Sequence, residues 1–141
     1  MKFKHEALAA WQEEKDWTDT KCARFLDIST PKLWQQYKTG VVIPSVKIIN
    51  KIAKNMGISA FDLIEPRPAV TSNSKIIKFR NIALIMWQKE RGYSMETCAK
   101  MAGISCTSWQ QYATGNGSPE GLDRYDLIAS KTGIDLLDLF E

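Results

Sequence analysis

The side chains best placed to do chemistry here are amides and ammonium groups on one short stretch, Trp34-Gln35-Gln36-Tyr37-Lys38-Thr39-Gly40. A Gln amide carries a donor and an acceptor and can pair bidentately with adenine, while a Lys ammonium reaches guanine acceptors or phosphate. The stretch returns as Trp109-Gln110-Gln111-Tyr112-Ala113-Thr114-Gly115, with a Pro four residues past the Gly each time, Pro44 and Pro119. Other chemistries have little material. Three widely separated Cys and a single His make neither a disulfide framework nor a zinc site, and no nucleophile–base pair stands out. Gly115-Asn116-Gly117 reads as a turn rather than a phosphate cradle. The expectation is a non-enzyme with no catalytic residue, no metal and no cofactor.

Repetition extends well beyond the motif. A shift of 76 residues pairs Phe3 with Phe79, Trp11 with Trp87, Trp17 with Tyr93, Cys22-Ala23 with Cys98-Ala99 and Ile28-Ser29 with Ile104-Ser105. The shift is 75 through the motif and 76 again for Ile52-Ala53/Ile128-Ala129, Gly57-Ile58/Gly133-Ile134 and Asp62-Leu63/Asp138-Leu139. A duplicated unit is the simplest account. The predicted organisation is a first domain over 1–65, a linker over 66–75 and a second domain over 76–141. The linker carries two prolines and a Thr/Ser/Asn cluster, and ten such residues in an extended path reach roughly 30 Å.

Each copy parses as five helices, and no strand-length segment alternates with period two, so the predicted class is all-α. In the first copy Phe3, Ala7, Ala10 and Trp11 mark one stripe of helix 1. Thr18 is an N-cap candidate for helix 2, which runs to about Leu26. Asp27 stands where the second copy has Gly103; both tolerate a left-handed helix end. Helix 3 follows Thr30, with Pro31 in its first turn, and stops before Gly40. Pro44-Ser45 opens helix 4, whose Val46, Ile49, Ile52, Ala53 and Met56 fall at helical spacing before Gly57. A last turn holds Phe61, Leu63 and Ile64.

The ordered set Cys22-Ala23, Asp27-Ile28-Ser29, Trp34 to Tyr37, Gly40 to Pro44-Ser45 and Asn55-Met56-Gly57-Ile58 resembles the Cro/repressor-type (XRE-like) helix-turn-helix family. The second copy matches through Cys98-Ala99, Gly103-Ile104-Ser105, Trp109 to Tyr112, Gly115 to Pro119 and Thr132-Gly133-Ile134. The resemblance implies two tandem lambda-repressor-like, five-helix domains. It also implies sequence-specific binding of double-stranded DNA, as a transcriptional regulator of phage or bacterial type, expected to be a repressor. Recognition helices over about 30–38 and 106–113 would lie in the major groove. The candidate DNA-facing residues are Thr30, Pro31, Lys32, Gln35, Gln36 and Lys38, and Cys106, Thr107, Ser108, Gln110 and Gln111. Ser29 to Gly40 spans one residue more than Ser105 to Gly115, which leaves the register of Thr30–Lys32 open by one.

Composition fits an ordinary globular chain: 44% apolar, 25% charged, net charge +3. No apolar run approaches the roughly 20 residues of a bilayer span, and the N-terminus lacks a signal peptide's apolar core, so a cytoplasmic protein without membrane contact is expected. The charge is uneven. Residues 1–70 carry 11 Lys/Arg against 8 Asp/Glu (+3), and residues 71–141 carry 8 against 8 (zero). The first copy should therefore contribute more phosphate attraction.

Blander readings apply to several residues. Trp34, Trp109, Tyr37 and Tyr112 read as core, Cys22 and Cys98 as small buried hydrophobes, and His5 as a solvated residue. Cys106 sits where a helix N-terminus can lower a thiol pKa, although a neutral surface Cys is the simpler reading. In the second copy Ile82 and Ile85 replace Glu6 and Ala9, making helix 1 apolar beyond one stripe; that face is expected to pack on the first domain or a second chain. Partners would be DNA, together with a homodimer or a pseudo-dimer within one chain that sets recognition helices about 34 Å apart. A rival from another class is a protein-interaction adaptor, antirepressor- or antitoxin-like, that keeps the fold with DNA readout lost in one or both domains.

Overall fold

The computed structural model describes residues 1–65 and 75–141. They divide into two compact units, residues 1–65 with 75–76, and residues 77–141. The predicted linker lies outside the described residues except for Lys75. The described chain is predominantly α-helical: α1 (His5–Lys15), α2 (Asp19–Phe25), α3 (Pro31–Thr39) and α4 (Val46–Met56) precede a 3-10 turn, Ala60–Leu63. The second unit repeats the order with α5 (Ile82–Arg91), α6 (Met95–Ala102), α7 (Cys106–Thr114), α8 (Leu122–Thr132) and the turn Leu136–Leu139. No helix among the described residues is long and apolar enough to cross a membrane.

Local chemistry explains the boundaries. Thr18, Thr30 and Ser45 each accept a hydrogen bond from the backbone N–H three residues on, satisfying one of the four N–H groups that a helix start leaves free. Ser94 and Ser105 do the same for α6 and α7. Left-handed residues end the helices in matching pairs. Asp16 (φ 56°) corresponds to Gly92 (φ 65°), and Asp27 (φ 57°) to Gly103 (φ 74°). Asp is one of the few non-Gly residues that accept that conformation.

The core of each unit is built from the inner faces of these helices. Cys22, Ala23, Leu26, Ile28, Trp34 and Tyr37 are buried, as are Val46, Ile49, Ile52, Ala53, Phe61, Leu63 and Ile64. Among the described residues no buried side-chain nitrogen or oxygen lacks a hydrogen-bond partner.

Helix 1 differs from the expected stripe. Phe3 lies in a short strand, β1 (Lys2–Phe3), that pairs antiparallel with β2 (Ile64–Glu65), Phe3 opposite Ile64. Leu8 and Trp11 are the inward residues of α1, while Ala10 is exposed. The second unit makes the equivalent bridge from Phe79 to Phe140, with their N–H and C=O neighbours joined by Arg80 N–H to Leu139 O (2.8 Å). Two-residue strands are too short to show period-two alternation, so the pattern left no trace of them.

Candidate nucleic-acid interface

The α2–turn–α3 and α6–turn–α7 segments carry the predicted site residues. The turn resolves the register: Thr30 and Ser105 are the N-caps, so the extra residue of the first copy lies in the turn before Thr30. Pro31 thus corresponds to Cys106, Lys32 to Thr107, Leu33 to Ser108 and Gln36 to Gln111.

The outer edge of α3 presents Pro31, Lys32 and Gln35 to solvent, with Thr30 exposed at the cap and Gln36 half-buried. On α7, Cys106, Thr107, Gln110 and Gln111 are exposed. Ser108 is half-buried and its hydroxyl accepts from Ser105 Oγ at 2.9 Å. The inner edge is apolar: Trp34 and Trp109 are fully buried and Tyr37 and Tyr112 are buried. Each short helix therefore has one face committed to the core and a polar face left over.

Lys38 departs from the expected outward position. Its Nζ lies 2.8 Å from Asp19 Oδ1 and 2.8 Å from Gln12 Oε1, and its side chain is only 19% exposed. The reason is helical periodicity: residue 38 follows Trp34 by four and so lies on the same inward side. Ala113, the equivalent residue of α7, is buried too. The Lys38 ammonium, then Gln12, hold the Asp19 carboxyl below its ordinary range. Asp19 and Lys38 together are replaced in the second unit by Met95 and Ala113, an ion pair exchanged for two apolar groups.

Further cations lie on α2 and α4. Lys47 and Lys54 are exposed on α4, whereas Lys51 pairs with Asp27 at 3.3 Å. Lys21 stacks over Trp17, 4.5 Å from the ring centroid. Helix α7 has no charged residue of its own; after it in the chain, Glu120 precedes α8 and Asp123 lies in its first turn, both exposed. Cys22 and Cys98 are buried, which raises their thiol pKa values; Cys106 is exposed. Ile82, Ile85 and Met86 remain 48%, 42% and 48% exposed, so this face of α5 is not consumed by the core of its own unit.

No family model, curated protein or solved structure matches this chain.

Gln12, which sequence reading passed over, and His5, which it read as solvated, emerge beside α3. Gln12 Oε1 accepts from the Trp34 indole N–H at 3.1 Å, and His5 is no simply solvated residue, since its Nδ1–H donates to Lys38 O at 3.1 Å. The available signal was the 76-residue shift, which pairs Gln12 with Gln88 and His5 with Asn81. The His5 ring also lies against Gly40, where an added Cβ would come within 2.9 Å of its Cδ2. Gly40→Ala should therefore cost about 2 kcal/mol or more, the sum of a left-handed non-Gly residue and this clash. Gly57 has the same backbone sign (φ +77°) and open space around it, so Gly57→Ala should cost only about 1–2 kcal/mol. Denaturant midpoints of the two variants check this; equal losses would mean the His5 ring does not press on Gly40.

Proposed function

We propose that the chain is a sequence-specific, double-stranded DNA-binding transcriptional regulator built from two tandem helix-turn-helix domains of Cro/repressor type, acting as a repressor of phage or bacterial kind. On this reading α3 and α7 are the recognition helices. The observation that carries it is the two-faced character of these helices, present twice. Trp and Tyr fix one side in the core, and the residues left facing out include Gln35 in α3 and Gln110 and Gln111 in α7, with Gln36 half-buried at the edge of that face. An α-helix of this kind fits the major groove, about 12 Å wide, and its Gln and Lys side chains match base-edge acceptors and donors.

Selection of bound sequences from random duplex DNA with the full chain tests the proposal. A defined motif should be enriched, and affinity for it should fall steeply with salt as Lys residues release counterions. Absence of both enrichment and salt dependence would favour the adaptor reading. That second reading has its own support in the uncharged α7 and in the exposed Glu120 and Asp123 that follow it in the chain, which suit protein contact better than phosphate. The first domain is therefore assigned the larger share of DNA affinity.

The Ile82/Ile85 face of α5 is assigned to pairing with a second copy of the chain. Ile85→Asp is expected to lower either the self-association seen by sedimentation or the thermal stability, because it places a charge in an apolar contact. An unchanged oligomeric state and an unchanged melting temperature would remove that assignment.

A further inference from the structure

The last four carbonyls of a helix have no partner within it. In α3 two of them are met by the chain that follows: Gly40 N–H donates to Tyr37 O (3.3 Å) and Val42 N–H to Gln36 O (3.2 Å). Lys38 O is met from another helix, by His5 Nδ1–H at 3.1 Å. Further along α1, Gln12 Oε1 accepts from Trp34 Nε1–H at 3.1 Å and Gln12 Nε2–H donates to Trp17 O at 3.0 Å. His5 and Gln12 are two turns apart on one side of α1, and Trp34 and Lys38 are one turn apart on one side of α3. Helix α1 thus holds α3 at two points on facing stripes.

The second unit makes the same two contacts, one with different residues and one with the same Gln–Trp pair. Asn81 Nδ2–H donates to Ala113 O at 3.1 Å, and Gln88 Oε1 accepts from Trp109 Nε1–H at 3.1 Å. Gln88 Nε2–H reaches Tyr93 O at 3.2 Å, and Gly117 N–H reaches Gln111 O at 3.1 Å. His has become Asn and Lys has become Ala, yet the donor, the accepting carbonyl and the indole partner are all kept.

We propose that this two-point clamp sets the angle at which α3 and α7 present their outer faces, which makes His5, Gln12, Asn81 and Gln88 positioning residues for target recognition. The consequence for DNA rests on the function proposed above; the clamp itself is a statement about helix order. The two units supply their own rescue variant, since Asn already performs the task of His5 in the second unit.

The test uses the full chain with His5→Ala, His5→Asn and Asn81→Ala. Amide hydrogen exchange at Gly40 and Val42 reads the clamp without DNA. His5→Ala should speed it about fivefold, the equilibrium weight of one hydrogen bond, and His5→Asn should return it to the wild-type rate. Asn81→Ala should do the same at Gly115 and Gly117. The ratio of affinities for selected and random duplex reads positioning. In His5→Ala it should fall about fivefold with random-duplex affinity unchanged, and His5→Asn should restore it. Unchanged exchange in both Ala variants overturns the clamp. Faster exchange with an unchanged affinity ratio overturns the positioning role. If the wild-type chain selects no sequence, the DNA reading fails, and recovery of exchange in His5→Asn still decides for or against the clamp.

Discussion

Trp34→Ala should be among the most damaging single substitutions in the first unit, costing about 3–5 kcal/mol. The indole is fully buried and sits edge-on to Trp11, with centroids 6.2 Å apart at 76°. Removing it opens a cavity that neighbouring helices fill only partly, and it strips Gln12 Oε1 of its indole donor. A small domain has a net stability of about 5–15 kcal/mol, so this one loss consumes much of the margin. Trp34→Phe keeps most of the ring and drops the N–H, and should cost about 1–3 kcal/mol, reflecting the lost hydrogen bond to Gln12, whose Oε1 keeps Lys38 as a donor, and the lost ring volume. Denaturant unfolding of the two variants separates packing from hydrogen bonding. A cost below about 1 kcal/mol for the Ala variant would show that Trp34 is not the central core residue its burial implies.

Lys32→Ala and Gln36→Ala should each weaken binding to the selected DNA by about 1–3 kcal/mol, provided these side chains read bases. Both belong to the outer edge of α3, where Lys32 is exposed and Gln36 is half-buried beside the chain that follows. The two differ in signature. If Lys32 touches phosphate instead, its loss should weaken all sequences alike and lower the salt slope by about one. Gln36→Ala should relax preference at one base position and leave the slope alone, because an amide displaces no counterion. Lys38→Ala is the internal control. Its ammonium is occupied by Asp19 and Gln12, so it should affect DNA less than Lys32→Ala does. Equal affinities of the Lys32 and Gln36 variants for selected and random duplex would remove both from the reading surface.

Much of the architecture was legible in local chemistry. Thr18, Thr30 and Ser45 announce helix starts, Gly40 and Gly57 announce ends, and Asp27 could be matched to Gly103 because few residues take a left-handed conformation. Burial of Trp34, Tyr37 and their counterparts followed from spacing alone. Lys38 was misplaced because its charge suggested solvent. Its position, four residues past a buried Trp and equivalent to Ala113, carried the better information. The bridges at Phe3 and Phe79 were invisible because two residues cannot display a period. The His5 contact spans 33 residues and has no local pattern, so the structure was needed to expose it. What α3 and α7 touch is a property of their outer faces, which the core does not constrain.

The bridges between the ends of each unit have a consequence for how such a chain arises. Phe3 opposite Ile64, and Phe79 opposite Phe140, bring entry and exit of the polypeptide to one edge of the unit. A segment whose two ends meet can be copied in tandem, excised, or reconnected head to tail without tearing its interior. Each unit is thus built like a cassette, which duplication can copy whole while the outer faces of α3 and α7 diverge.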